Sequence, residues 1–292
     1  MGTGNVERAR EYHHSVHLAT HEEFVRVSLK FTIAFLLLAQ PLASRAAAAQ
    51  GADEFIRAGV EAQLARDPET GRHWMEQAVA ADSNSYEARW RLAELLVDIG
   101  KQTPDSVKSA ARDSLYALAE AQARIEVALN PDGADGHYTV AAGIGRASLT
   151  MGKKERVKRA GEIRTEALRA IELDPAHHKA YHVMGRWNAE IMRLSGLQRF
   201  FAKSFLGGKI LNAAAWDSAV VYMGKALEHA PDNIYHHLDM AEILIDRDRF
   251  TEARTHLTRI GALPVFDVLD PTYKERAVFL LAQTEGKKDK GR

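Results

Sequence analysis

Apolar and polar positions along this chain recur with the step of a helix. Four short strings punctuate it, AVAADS, EVALNP, AIELDP and ALEHAP, ending at Ser83, Pro131, Pro175 and Pro231. Nine and ten residues beyond each end, a large apolar residue is followed by a small one: Leu92-Ala93, Val140-Ala141, Met184-Gly185 and Met240-Ala241. Ahead of each end, positions −12, −8 and −5 are mostly small or apolar: Gly71/Met75/Ala78, Ala119/Ala123/Glu126, Ile163/Ala167/Ala170 and Ala219/Met223/Ala226. A step of four and then three is the stripe of one helix face. Each unit is therefore predicted to be two helices. The small residue of the pair lets their axes approach, and a terminal Pro stops the second helix, because the residue before Pro avoids the α region.

These helix pairs resemble the tetratricopeptide repeat, a 34-residue helix-turn-helix. The resemblance covers Ala52 to about Asp267, in units 52–85, 86–133, 134–177, 178–233 and 234–267. The last unit carries the second-helix stripe Ala253, Leu257, Ile260. Asp270-Pro271 opens a closing helix over 271–283, and 286–292 is a polar tail. The expected fold is an all-α, right-handed superhelix of about five tetratricopeptide-like pairs with that closing helix, spanning 50–285. The middle three units exceed the repeat length. In unit two, Thr103-Pro104 reads as an N-cap with Pro at the first helical position, so the second helix is expected to run unbroken to Asn130.

The largest excess is in unit four, within GRWNAEIMRLSGLQRFFAKSFLGGKILNAAAW, Gly185 to Trp216. The series His182-x-x-Gly185-Arg186-Trp187, then Arg199-x-x-Ala202, Phe205 and Trp216-x-x-Ala219, resembles the regulator of microtubule dynamics family. Its members are tetratricopeptide proteins with a similar series in the same place between two helices. FLGGKILN stands where eukaryotic members carry a Pro/Ser-rich turn, and no transmembrane helix or coiled coil is expected ahead of the repeats. The resemblance implies the fold, the insertion and lipid binding, with which some members' repeat domains are associated. Leaving Phe200, Phe201, Phe205 and Leu206 exposed forgoes roughly 1.5–3 kcal/mol each. Three arrangements would use them: a plug folded back into the superhelix, a lid over a ligand, or a docking surface for a membrane or partner. Arg199 lies among them, and Gly207-Gly208 supplies a turn in each case.

Composition narrows the function. Lys plus Arg equals Asp plus Glu, 39 each, so general nucleic-acid binding is not indicated. The chain has no Cys, which removes disulfides, thiolate metal sites and Cys nucleophiles. Arg26 and Lys30 precede the apolar run FTIAFLLLA and then SRAAAAQ, the order of a secretory signal over 27–49, with 1–26 an upstream stretch outside the native start or without order. The run is too short for a spanning helix, which needs roughly 20 apolar residues. Export to the periplasm or cell exterior is expected, without a stable membrane anchor after cleavage; an exported protein is not expected to meet microtubules.

The groove-facing offsets of tetratricopeptide first helices fall on Ile56, Val60, Trp90, Glu94, Tyr138, Ala142, His182, Arg186, Tyr235, Leu238 and Glu242. This lining is apolar and aromatic, with Arg186 as a lone fixed cation. His178, His182, His236 and His237 have spacings that stacked helices could turn into a zinc site, but packing or groove histidines are the simpler reading and no metal ligand is assigned. Gly143-x-Gly145 lacks the third glycine and the strand of a dinucleotide loop and reads as helix packing. No nucleophile–base pair, cofactor loop or metalloprotease motif occurs, so no enzyme activity and no cofactor are expected. The expected role is an exported, non-catalytic scaffold binding a protein or peptide segment in its groove. The alternative is a carrier of a lipid or other apolar, anionic ligand beneath residues 198–211.

Overall fold

The computed structural model describes residues 50–148, 151–205 and 209–290. The upstream stretch, the signal segment, Leu206, the Gly207-Gly208 turn and 291–292 lie outside the described residues. Arg199, Phe201 and Phe205 are described by their backbone alone.

Every regular element among the described residues is helical: α1 (50–64), α2 (Pro68–Ala81), α3 (Tyr86–Lys101), α4 (Ala110–Leu129), α5 (Ala134–Ala147), α6 (Lys153–Leu173), α7 (His178–Arg193), α8 (Gly196–Phe205), α9 (Trp216–His229), α10 (Ile234–Asp246), α11 (Phe250–Ala262) and α12 (Asp270–Thr284). A 3-10 turn at Lys209–Ala213 separates α8 from α9. Side-chain caps set several starts. Asp67 Oδ1 accepts from Thr70 N at 3.1 Å, with Pro68 in the first turn, and Asn233 Oδ1 accepts from His236 N at 3.0 Å. Each cap satisfies a donor that the helix itself cannot, for about 1 kcal/mol.

Helices pack in pairs, α3 with α4, α5 with α6, α7 with α9 and α10 with α11, each pair on the next. The stripes of the sequence face inward: Met75, Ala78, Ala119, Ala123, Ala167, Ala170, Ala219, Met223 and Ala226 are fully buried, and the four large-small pairs meet them. The small residues permit close approach. A Cβ on Gly143 would lie 3.2 Å from the α4 backbone at Glu120, and one on Gly185 would lie 3.3 Å from Met223 N of α9. Core side chains form a series of patches along the repeats, as in a solenoid where each unit buries its face on its neighbours.

Two segments differ from the pattern. The second helix of unit two begins at Ala110, capped by Ser109 Oγ on Arg112 N at 3.2 Å, not at Pro104. The buried Arg112 guanidinium donates to the Pro104 carbonyl at 2.7 Å and Val107 N to the same oxygen at 3.0 Å, folding 104–109 back as a turn. In unit four, the end of the insertion packs into the core. Leu211 is 3% exposed, among Met184, Trp187 and Ile191. Phe200 on α8 is 58% exposed and Leu197 67%. Buried Asn188 secures the return, donating to Met184 O at 2.8 Å and accepting from Ala215 N at 3.1 Å. No helix among the described residues is long and apolar enough to cross a membrane.

Candidate functional site: the first-helix face

The first helices α3, α5, α7 and α10 lie side by side and are followed by α12. Their facing side chains meet in two clusters. In the first, Tyr138 of α5 donates its hydroxyl to Glu94 Oε1 of α3 at 3.4 Å, and Lys179 of α7 pairs with the same carboxylate. The Tyr138 ring lies 5.0 Å from that of His177. In the second, Tyr235 of α10 is the hub. Arg146 Nη2 of α5 and Arg186 Nη1 of α7 both donate to its hydroxyl oxygen, at 2.9 and 3.0 Å. Its ring stacks on Tyr273 of α12 at 4.7 Å and 9°, and the Lys101 ammonium of α3 lies 4.8 Å from its centroid.

Carboxylates balance these cations. Asp239 accepts from Arg186 at 3.1 and 3.2 Å and lies 2.9 Å from His182 Nε2. Asp98 takes Lys101 at 3.0 Å, and Asp105 lies 3.4 Å from Arg146. Burial alone would push the Asp239 carboxyl up, but Arg186 and His182 hold it well below the usual carboxylate range. The Arg186 guanidinium is correspondingly held charged by Asp239. A desolvated pair of this kind costs several kcal/mol if one partner is removed, because the other charge stays buried.

The sequence-predicted residues separate into groups. Glu94, Tyr138, His182, Arg186 and Tyr235 are brought into the two clusters. Trp90 is half-buried beneath the Arg91 guanidinium, 4.3 Å from its ring, Glu242 accepts from Arg276 Nε at 3.1 Å, and Ala142 is half-buried. Ile56 and Leu238, 7% and 4% exposed, pack in the core, with Val60 against the same patch as Ile56. Arg186 is not a lone cation, and the face is polar and ion-paired more than apolar. Asp98, Lys101, Arg146, Lys179, Asp239 and Tyr273 were not anticipated. Four of them were within reach of the same stripe: Glu94 to Asp98 to Lys101 steps by four and three, and Ala142 to Arg146 and Tyr235 to Asp239 step by four.

The histidines do not converge on one point. His236 places one ring nitrogen on His178 and the other on His182, each at 2.8 Å, whereas His237 contacts His256 at 2.8 Å. Among the described residues no group of three or more His, Cys, Asp or Glu is arranged to hold a metal ion. The Trp187 indole of the H-x-x-G-R-W series donates to Ala160 O at 2.7 Å, tying α7 to α6.

Helix pairs with small residues at their crossings, stacked so that first helices share one face, define an all-α tetratricopeptide-type repeat protein. A solved tetratricopeptide repeat protein of Thermus thermophilus, TTC0263, is similar at 16% identity and TM-score 0.54, covering 78% of this chain and 99% of that one. PilF of Pseudomonas aeruginosa is similar at 15% identity and TM-score 0.47, over 82% and 88%. No curated protein matches the sequence. The chain belongs to the regulator of microtubule dynamics protein 1-3 family, whose model matches residues 57–285.

Proposed function

We propose that the protein is an exported, non-catalytic scaffold that holds a partner's peptide segment along the face formed by α3, α5, α7, α10 and α12. The observation that carries this reading is the pair of clusters around Tyr138 and Tyr235. They present half-buried aromatic rings beside Lys179, Arg186, Lys101 and Glu94, groups that hydrogen-bond and stack on a polypeptide. Aromatic and Arg side chains of this kind dominate protein–protein contacts. Export rests on the order of basic, apolar and small residues over 27–49. N-terminal sequencing of the mature protein tests it: a start near Gln50 supports cleavage, and an intact N-terminus overturns it.

Binding is tested by cross-linking the full chain in its native extract and comparing Tyr235→Phe, Arg186→Gln and, at an exposed position of the second helix α9, Val221→Asp. A partner lost with the first two and kept with the third supports the reading; equal capture by all three overturns it.

The second reading, a carrier of an apolar anionic ligand, draws on the exposure of Leu197 and Phe200 in α8. The ion-paired character of the first-helix face favours a polypeptide over an acyl chain, which would desolvate those charges without replacing their partners. Native mass spectrometry discriminates: a stoichiometric lipid mass, lost on Phe201→Asp with Phe205→Asp, would put the carrier first.

A further inference from the structure

Three imidazoles and a carboxylate form one chain across the contact of α7 with α10. His178 Nδ1 lies 2.8 Å from His236 Nε2, His236 Nδ1 lies 2.8 Å from His182 Nδ1, and His182 Nε2 lies 2.9 Å from Asp239 Oδ2. These contacts place the protons. The Asp239 carboxylate, 2.9 Å from His182 Nε2 although off the line of a hydrogen bond, favours the proton on that nitrogen, and in the neutral ring Nδ1 then accepts from His236 Nδ1–H. That leaves His236 Nε2 to accept from His178 Nδ1–H. Each imidazole–imidazole contact then holds one proton, and both donate towards His182.

We infer that this chain is a one-proton switch: a proton taken up at His178 Nε2 comes to rest on His182 and reverses both imidazole–imidazole hydrogen bonds without breaking either. On gaining that proton, His178 passes its Nδ1 proton to His236 Nε2. His236 in turn passes its own Nδ1 proton to His182 Nδ1. His182 becomes an imidazolium held between His236 and Asp239, and the net change is one positive charge. His178 is half-buried and is the point of entry, whereas His182 and His236 are 6% and 3% exposed.

The surroundings set the range. His177, Lys179 and His229 face His178, and Arg186 of α7 and Lys101 of α3 face His182, with Asp239 opposing them. His236 faces Lys179 as well as its two chain partners. The Tyr235 ring lies 4.5 Å from that of His182. Burial, followed by Lys179, holds His178 down to about 4, and burial keeps His236 and His182 below the usual range, with Asp239 opposing it. The chain is therefore neutral at pH 7 and takes its proton below about pH 6.5. The added charge joins Lys101, Arg146 and Arg186 around Tyr235. The consequence for partner binding rests on the proposed function, but the switch itself does not.

Nitrogen-15 histidine NMR on the full chain, assigned by single substitutions, tests the switch without any partner. At pH 7.5, His178 and His236 are expected as Nδ1–H tautomers and His182 as Nε2–H. On acidification, double protonation of His182 and conversion of His236 from Nδ1–H to Nε2–H should share one midpoint. In His236→Phe, the titrations of His178 and His182 should separate. The inference is overturned if His236 is Nε2–H at pH 7.5, or keeps its tautomer while His182 charges. Should His236→Phe fail to fold, the two wild-type tautomer readings decide alone.

Discussion

Glu126 stands where the other second helices carry Ala78, Ala170, Ala226 and Ile260, and it is fully buried. Thr139 Oγ1 lies 3.0 Å both from Glu126 Oε2 and from the Gly136 carbonyl oxygen. One hydroxyl proton cannot serve both. Given to the carbonyl, it leaves Oγ1 to accept from a protonated Glu126. Burial pushes this carboxyl up to about 9, so it is neutral at pH 7. A folded-state value above the unfolded one gives stability that is fully present below about pH 4.5 and is lost as pH rises through 9. Glu126→Gln keeps the shape and removes the titration. It is expected to match the wild type at pH 5 and to exceed it by up to about 4 kcal/mol at pH 8, read from urea midpoints. Two glycines give a second, paired expectation. A Cβ on Gly100 would lie 2.4 Å from Cε1 of the buried Tyr116 ring, whereas one on Gly224 meets nothing within 4 Å. Gly100→Ala should cost about 1–3 kcal/mol by overpacking, and Gly224→Ala should gain about 0.5–1 kcal/mol. Thermal unfolding of the two variants checks both signs.

At the scale of elements, the insertion divides into an end that packs at Leu211 and a helix, α8, that leaves Leu197 and Phe200 exposed. Leu211→Ala removes a side chain from the patch around Trp187 and should cost about 2–4 kcal/mol. Leu197→Ala, on the exposed side of α8, should stay within about 0.5 kcal/mol. Equal losses in denaturant titrations would mean that α8 is also packed. The repeats themselves were legible in the sequence because burial of a helix face is written in that helix alone: Ala119 with Ala123, or Ala219 with Met223, need no knowledge of the partner. The start of α4 was not, because Thr103-Pro104 carries a proper helix-start signal and the competing hydrogen bond from Arg112 is a tertiary contact. The two clusters were half legible. Arg186 and Tyr235 lie on the expected stripe, but Arg146 reaches Tyr235 across 89 positions of sequence, and only the stacking of α5, α7 and α10 brings them together.

Across the whole molecule, stability should depend on pH from both sides. His178, His182, His236, His237 and His256 are all lowered, burial being the largest cause for each. A histidine whose folded-state value lies below its unfolded value of about 6.5 contributes stability above that pH and loses it as pH falls towards the folded value. The folded state then binds fewer protons than the unfolded one, and each such group costs up to about 1.4 kcal/mol per pH unit. Glu126 slopes the other way above pH 4.5. The two limbs predict a thermal midpoint that is highest near neutrality and falls on both sides, more steeply in acid, where the five histidines act together. His256→Gln isolates one contribution. His237 Nε2 is committed to the Pro231 carbonyl at 2.9 Å, so its Nδ1 accepts from His256, held down to about 4. Replacing His256 should make the acid limb shallower by up to one proton while leaving the alkaline limb unchanged. A variant whose acid limb runs parallel to the wild type would show that the His237–His256 pair is not part of the acid response, and that the α7–α10 histidines carry it.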